Sequence, residues 1–172
     1  MVKSYKFDIE RSKNHAHKFY CYRFYKWLRK AKESKFTFVR RFYQFLFHFH
    51  ALRRNIEIHT STKIGYGLSL WHPFNITVAR DATLGKNITL NKNCLIGREF
   101  RGDRNGCPTL CDNVWVGANA VIVGKITIGS NVLIAPGAFV NKDVPPNSIV
   151  IGNPCTIIHD EQATKDYIQC PI

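Results

Sequence analysis

Aliphatic residues return at every sixth position between Val114 and Val140. Val116, Ile122, Ile128, Ile134 and Val140 form one register, and Val114, Ala120, Ile126, Val132 and Ala138 lie two places earlier. The same step runs upstream through Val78, Leu84, Leu90 and Ile96, with Ala82 and Ile88 two places before. A helix of 3.6 residues per turn would smear this repeat around its circumference, and a period-two strand would not place Gly or Ala after the aliphatics at regular intervals. Gly85, Gly97, Gly117 and Gly129 follow those aliphatics and permit a corner that a Cβ would obstruct. The arrangement that satisfies the pattern is a parallel β-helix, whose coils stack roughly 4.8 Å apart over a ladder of Val, Ile and Leu. Its flat outer faces suit packing against copies of itself, so a closed trimer is expected.

The repeat opens with Ile58, Ile64, Leu70 and Ile76, and it is interrupted twice. From Ile64-Gly65 to Val78-Ala79 the interval is fourteen residues where two steps need twelve, and His72-Pro73-Phe74-Asn75 lies in that stretch. Extra residues on a regular coil push side chains out of register and re-aim them toward a site. Residues 98–113 are polar and contain Gly102, Gly106 and Pro108, which predicts an excursion loop. Beyond Val140 the pattern closes through Asp143-Val144-Pro145-Pro146 and Val150-Ile151-Gly152-Asn153-Pro154. The β-helix is accordingly placed at 56–158, with 159–172 as a tail.

Residues 1–55 differ in kind. They hold 15 Lys and Arg against 3 Asp and Glu, nearly the whole of the chain's formal net charge of +13, together with most of its aromatics. Two helices are predicted, from His15 to about Lys32 and from Lys35 to Arg54, because neither stretch contains Gly or Pro. Ser34 is the expected cap of the second, and residues 1–14 are read as loose. Interleaved cations and rings suit base stacking, a membrane interface, or packing of both helices on the prism. Of these partners, the anionic inner membrane face ranks above nucleic acid.

Met1–Glu10 lacks the apolar core of an export signal, and no apolar run approaches the roughly 18–20 residues of a spanning helix. A cytoplasmic setting is expected. Cys21, Cys94, Cys107, Cys111, Cys155 and Cys170 show no CxxC spacing and are read as reduced thiols. Cys107 and Cys111 alone supply too few ligands for a metal, and none is expected.

Five stretches carry a family resemblance: Ile56-Glu57-Ile58-His59, Lys63-Ile64-Gly65-Tyr66-Gly67, Leu70-Trp71-His72-Pro73, Val114-Trp115-Val116-Gly117-Ala118-Asn119-Ala120, and Lys142 through Gly152-Asn153-Pro154. In this order and spacing, over about 100 residues, the chain resembles the hexapeptide-repeat acyltransferases, and among them the serine acetyltransferase-like branch. The resemblance implies a mainly β fold, a left-handed parallel β-helix after the α-helical N-terminal segment. It also implies a trimer with acetyl-CoA in the groove between neighbouring prisms. His72 occupies the place of the family's catalytic histidine, in a Leu-Asp-His-Ala-Thr-Gly stretch, and is the implied general base. An acceptor hydroxyl is a poor nucleophile until a neutral imidazole removes its proton. Glu57, before Ile58-His59, stands where the family has an aspartate that orients the imidazole. Ala118 and Pro136 match pantetheine-contacting positions, Arg98 lies where the cofactor runs, and Lys142 is placed for a CoA phosphate.

Two departures bear on the acceptor. Trp71 replaces the aspartate before the histidine, and Gly106-Cys107-Pro108 stands against the family's Arg-His-Pro, with Arg104 a short shift away. On this reading the charged clamp for an amino acid is lost, and Trp71 and Phe74 suggest ring faces that stack on a sugar. O-acetylation of a capsular or exopolysaccharide sugar is thus the first expectation and serine O-acetylation the alternative. A γ-class carbonic anhydrase on the same fold needs three zinc-binding histidines, and the coil offers only His59 and His72 before His159.

Overall fold

The computed structural model describes residues 4–12, 17–168 and 171. Three helices come first, α1 (Tyr5–Ser12), α2 (Lys18–Glu33) and α3 (Thr37–Leu52). The first coil then carries β1 (Glu57–Ile58), β2 (Lys63–Ile64) and β3 (Ser69–Trp71), and the second β4 (Thr77–Val78), β5 (Thr83–Leu84) and β6 (Thr89–Asn91). The third holds β7 (Leu95–Gly97), β8 (Thr109–Leu110) and β9 (Val114–Val116), and the fourth β10 (Val121–Val123), β11 (Thr127–Ile128) and β12 (Val132–Ile134). A fifth turn brings β13 (Phe139–Val140) and β14 (Ser148–Ile151), and β15 (Thr156–His159) folds back on β14.

The strands form three sheets, one per face: β1-β4-β7-β10-β13, β2-β5-β8-β11, and β3-β6-β9-β12-β14-β15. Every pairing is parallel except β14 with β15. The register stacks Ile58, Val78, Ile96, Ile122 and Val140 in one buried column of the first face, as the six-residue step demands.

The corners rest on two devices. Asparagines supply the left-handed backbone: Asn75, Asn87, Asn93, Asn113, Asn119, Asn131 and Asn147 all have φ between 52° and 59°. Their short amides tolerate that conformation and bond locally. Between the third face and the first face of the next coil they form a ladder, Asn55 Nδ2 to Asn75 Oδ1 at 3.0 Å, Asn75 to Asn93 at 3.1 Å, and Asn93 to Asn119 at 3.0 Å. Gly117 serves otherwise: a Cβ there would lie 2.5 Å from the backbone nitrogen of Pro136 on the next coil.

Three expectations are corrected. Residues 5–12 are helical rather than loose, with Asp8, Arg11 and Ser12 buried. Ser34 does not cap α3; its N–H donates to the Lys30 carbonyl at the end of α2, and Phe36 precedes α3 without a side-chain cap. The excursion is 98–108, shorter than expected, because Leu110 returns to the core between Leu84 and Ile128. Antiparallel hydrogen bonds between Glu99 and Gly106, both 3.0 Å, brace the loop. The expected helix start at His15 and the thiol of Cys170 lie outside the described residues; the other five cysteines are unpaired.

The helices cover the open end of the first coil. Asp8 accepts the N–H groups of Gly67 and Leu68 at 2.9 Å each, and Tyr25 Oη accepts that of Leu70 at 2.8 Å. Arg29 donates to the carbonyls of Ile64 and Gly65, Arg11 to that of Gly67, and Lys32 to that of Thr62. These are the groups a preceding coil would have paired, and buried backbone groups must find partners. No helix among the described residues is long and apolar enough to cross a membrane.

Burial holds three imidazoles below the ordinary value: His17, helped by Arg54 and His72; His50; and His59, helped by Arg80 and Lys32. The unfolded chain therefore binds protons that the folded one refuses. Their stabilisation is fully present above the unfolded value of about 6.5 and is lost as pH falls through the lower folded values. Thermal melting is expected at lower temperature near pH 5.5 than near pH 7.5, by roughly a few degrees. An unchanged or higher Tm at the lower pH would contradict this assignment.

Candidate active site

The two extra residues of the first coil fall after β3, at the corner leading to β4. His72 has φ 49° and Asn75 φ 52°, and the Phe74 N–H donates to the His72 carbonyl at 2.7 Å, which makes a tight outward turn. Pro73 is buried beneath it, whereas His72 and Phe74 are exposed and Trp71 is half-buried. The turn is tied to the preceding coil by the Asn75 N–H, which donates to the Arg54 carbonyl at 2.9 Å.

The N-terminal segment contributes to this corner. His17, at the start of α2, sets its ring edge-on to His72 with centroids 6.1 Å apart, and edge-on to Phe74 at 5.9 Å. The Arg54 guanidinium lies over the Tyr20 ring at 4.2 Å and over the Phe74 ring at 4.4 Å. Its Nη1 is buried without a hydrogen-bond partner among the described residues. A cationic donor held by two rings and left unpaired beside an exposed imidazole suits an anionic group of a small molecule, since such a donor is costly to leave unsatisfied. Neither His17 nor Arg54 was a predicted site residue. The signal for Arg54 was present, an arginine directly before the first coil, but it stood within a basic stretch that hid it.

The other candidates divide between two corners. Glu57 adjoins the His72 corner, its N–H donating to the Ile76 carbonyl at 2.8 Å, but no hydrogen bond or ion pair joins its exposed carboxylate to His72 among the described residues. Ala118 and Pro136 follow β9 and β12 on the corner that carries His72, and the Gly137 N–H donates to the Ala118 carbonyl at 2.9 Å. Ala118 is half-buried and Pro136 exposed, so small residues leave this edge open to a neighbouring chain or a slender ligand. Arg98, Arg104 and Lys142 lie instead on the corner between the first and second faces or in its excursion. Arg98 pairs there with Asp81 at 3.3 Å, and the Arg104 carbonyl accepts the Lys125 N–H at 2.8 Å.

A three-sided parallel solenoid with a bulged histidine corner and a braced excursion loop is the frame of a hexapeptide-repeat transferase. The family profile described as bacterial transferase hexapeptide (six repeats) matches residues 108–142. A serine acetyltransferase of Helicobacter pylori is 33% identical over 152 residues, covering 87% of this chain and 81% of that protein. The solved serine acetyltransferase of Neisseria gonorrhoeae superposes with a TM-score of 0.72 at 27% identity, covering 97% of this chain and 70% of that one. The chain belongs to the left-handed hexapeptide-repeat acyltransferases, in their serine acetyltransferase branch. It spans only 30% of serine acetyltransferase 3 of Arabidopsis thaliana and 47% of the Synechococcus elongatus serine acetyltransferase, with identities of 34% and 32%.

These relatives overturn the expectation of a polysaccharide acceptor: serine acetyltransferases recur among the similar sequences and solved structures, beside a galactoside O-acetyltransferase of Escherichia coli that is 32% identical over 110 residues, covering 62% of this chain and 54% of that protein. That expectation weighed two charged positions missing from the coil. It left out Arg54 and His17, which lie outside the stretch that carried the resemblance and reach the same corner from the helices.

Proposed function

We propose that the chain is an acetyl-CoA-dependent serine O-acetyltransferase in which His72 is the general base. The observation that carries this reading is the setting of His72, exposed on a left-handed turn at the bulged corner of a chain similar to a serine acetyltransferase over 152 residues. The neutral imidazole takes the hydroxyl proton as the serine oxygen attacks the thioester carbonyl. The C–S bond then breaks, the imidazolium returns the proton to the departing thiolate, and O-acetylserine and CoA are released. Glu57 is the carboxylate on that edge available to steady the imidazolium. Arg54 Nη1 receives the serine carboxylate, and the Trp71 ring face stands where the ammonium is to be held.

The pantetheine arm runs along the corner of Ala118 and Pro136, while Arg98 and Lys142 meet the cofactor from the other corner, where Arg104 is the arginine available to the acceptor. On one prism these sets are a face apart. They come together between two copies, so the reading includes a homotrimer with sites in its grooves. A cytoplasmic setting, where acetyl-CoA and reduced thiols coexist, belongs to the same proposal.

The test is CoA release from acetyl-CoA with L-serine as acceptor. Turnover with serine is expected, and absence of serine acetylation alongside turnover of another hydroxyl compound overturns the reading. Arg54→Ala should raise KM for serine by roughly 10-fold or more with kcat little changed, as loss of a hydrogen bond to a charged group predicts. Arg54→Lys should recover part of that loss. Equal KM values in all three proteins would remove Arg54 from the acceptor site.

A further inference from the structure

Helix α3 is apolar on two opposite sides. Phe47, His50 and Ala51 are buried against α2 and the first coil. Phe38, Phe42, Phe45, Phe49 and Leu52 follow one another at steps of four and three residues. At about 100° per residue they fall within an arc of about 80° centred opposite Phe47. All five are exposed, between 51% and 84%. A soluble helix needs one apolar stripe, and a second one of this size facing outward marks an interaction surface.

Its charge selects the partner. From Ser34 to Ile56 there is no Asp or Glu, while Lys35, Arg41 and Arg53 flank the stripe. The Arg53 guanidinium lies 5.6 Å from the centre of the Phe49 ring, a cation already seated beside the apolar row. Next to Arg41 a cleft of about 490 Å³ opens between α2, α3 and the first coil, lined by Lys32, Arg40, Arg41, His59 and Arg80 with no carboxylate among its lining residues. Two copies of this face would set cations against cations, which is repulsive. An anionic bilayer satisfies both components, taking the rings at the acyl boundary and the cations among headgroup phosphates.

We infer that α3 docks the protein on anionic membranes, with Phe38, Phe42, Phe45, Phe49 and Leu52 immersed and Arg41 and Arg53, at the two borders of the stripe, meeting lipid phosphates. The surface is independent of the acetyl-transfer reading, so each stands or falls alone.

The full chain is to be floated with vesicles of phosphatidylcholine alone and with vesicles that also contain phosphatidylglycerol. Flotation is expected with the second only, with at least about a tenfold loss in Phe42→Glu/Phe45→Glu and weakening by salt. Both substituted positions are exposed, so the melting temperature and the assembly mass by light scattering should not change. Failure of the native chain to float with anionic vesicles overturns the inference, as does equal flotation with both lipids. A lower assembly mass in the double variant also overturns it, because the stripe would then belong to a contact between copies.

Discussion

Replacing His72 by asparagine is expected to lower kcat for acetyl transfer by about 10²–10⁴-fold, the usual contribution of a positioned general base. Asparagine is the informative substitution because the site sits at φ 49°, a conformation that eight asparagines among the described residues adopt. His72→Ala would lose the same chemistry and add backbone strain to the comparison. Since the imidazole is exposed, its loss leaves no cavity, and thermal unfolding should be preserved in the asparagine variant. Acetyl-CoA binding should also persist, because the candidate cofactor positions Ala118, Pro136 and Lys142 lie on other coils. Near-native turnover in His72→Asn would reject His72 as the base.

The second large effect concerns stability. Asp8 accepts Arg29 Nε at 2.8 Å and Nη2 at 3.0 Å, with both side chains almost wholly inaccessible, and it also holds the N–H groups of Gly67 and Leu68. Asp8→Ala leaves a buried guanidinium without its counter-charge and two backbone donors without acceptors. Breaking such a pair from one side costs about 3–5 kcal/mol, which for a chain of this size lowers Tm by roughly 10 °C. The charge part should be separable: Asp8→Ala/Arg29→Met removes both ions and should recover part of the loss. A Tm within about a degree of the native protein in Asp8→Ala would show that the pair does not hold the helices to the coil.

The coil was readable because its cause is periodic. Each aliphatic of the six-step enters the same interior column, so spacing alone predicted the faces, the bulge at His72 and the start of the excursion at Arg98. The asparagines were equally regular and passed unnoticed, although each marks a left-handed corner more reliably than the glycines nearby. Helix α1 was not readable in this way. Its reason to fold is the pairing of Asp8 with Arg29 and with the backbone at Gly67 and Leu68, partners distant in sequence that no local pattern announces. The site divided along the same line. The candidates His72 and Glu57 stood within the stretches that carry the family resemblance and were named from it, whereas Arg54 stacks on Tyr20 and Phe74, one ring from a helix and one from the bulge, a placement no local pattern announces.

A solenoid has no intrinsic length, since each coil offers the next an edge on which to grow. In this chain the first coil meets the side chains of Asp8, Arg11, Tyr25, Arg29 and Lys32, which have no periodicity to pass on. At the far end β15 runs antiparallel to β14 and presents the wrong polarity for another parallel coil. The prism is thereby closed to the end-on addition of further parallel coils.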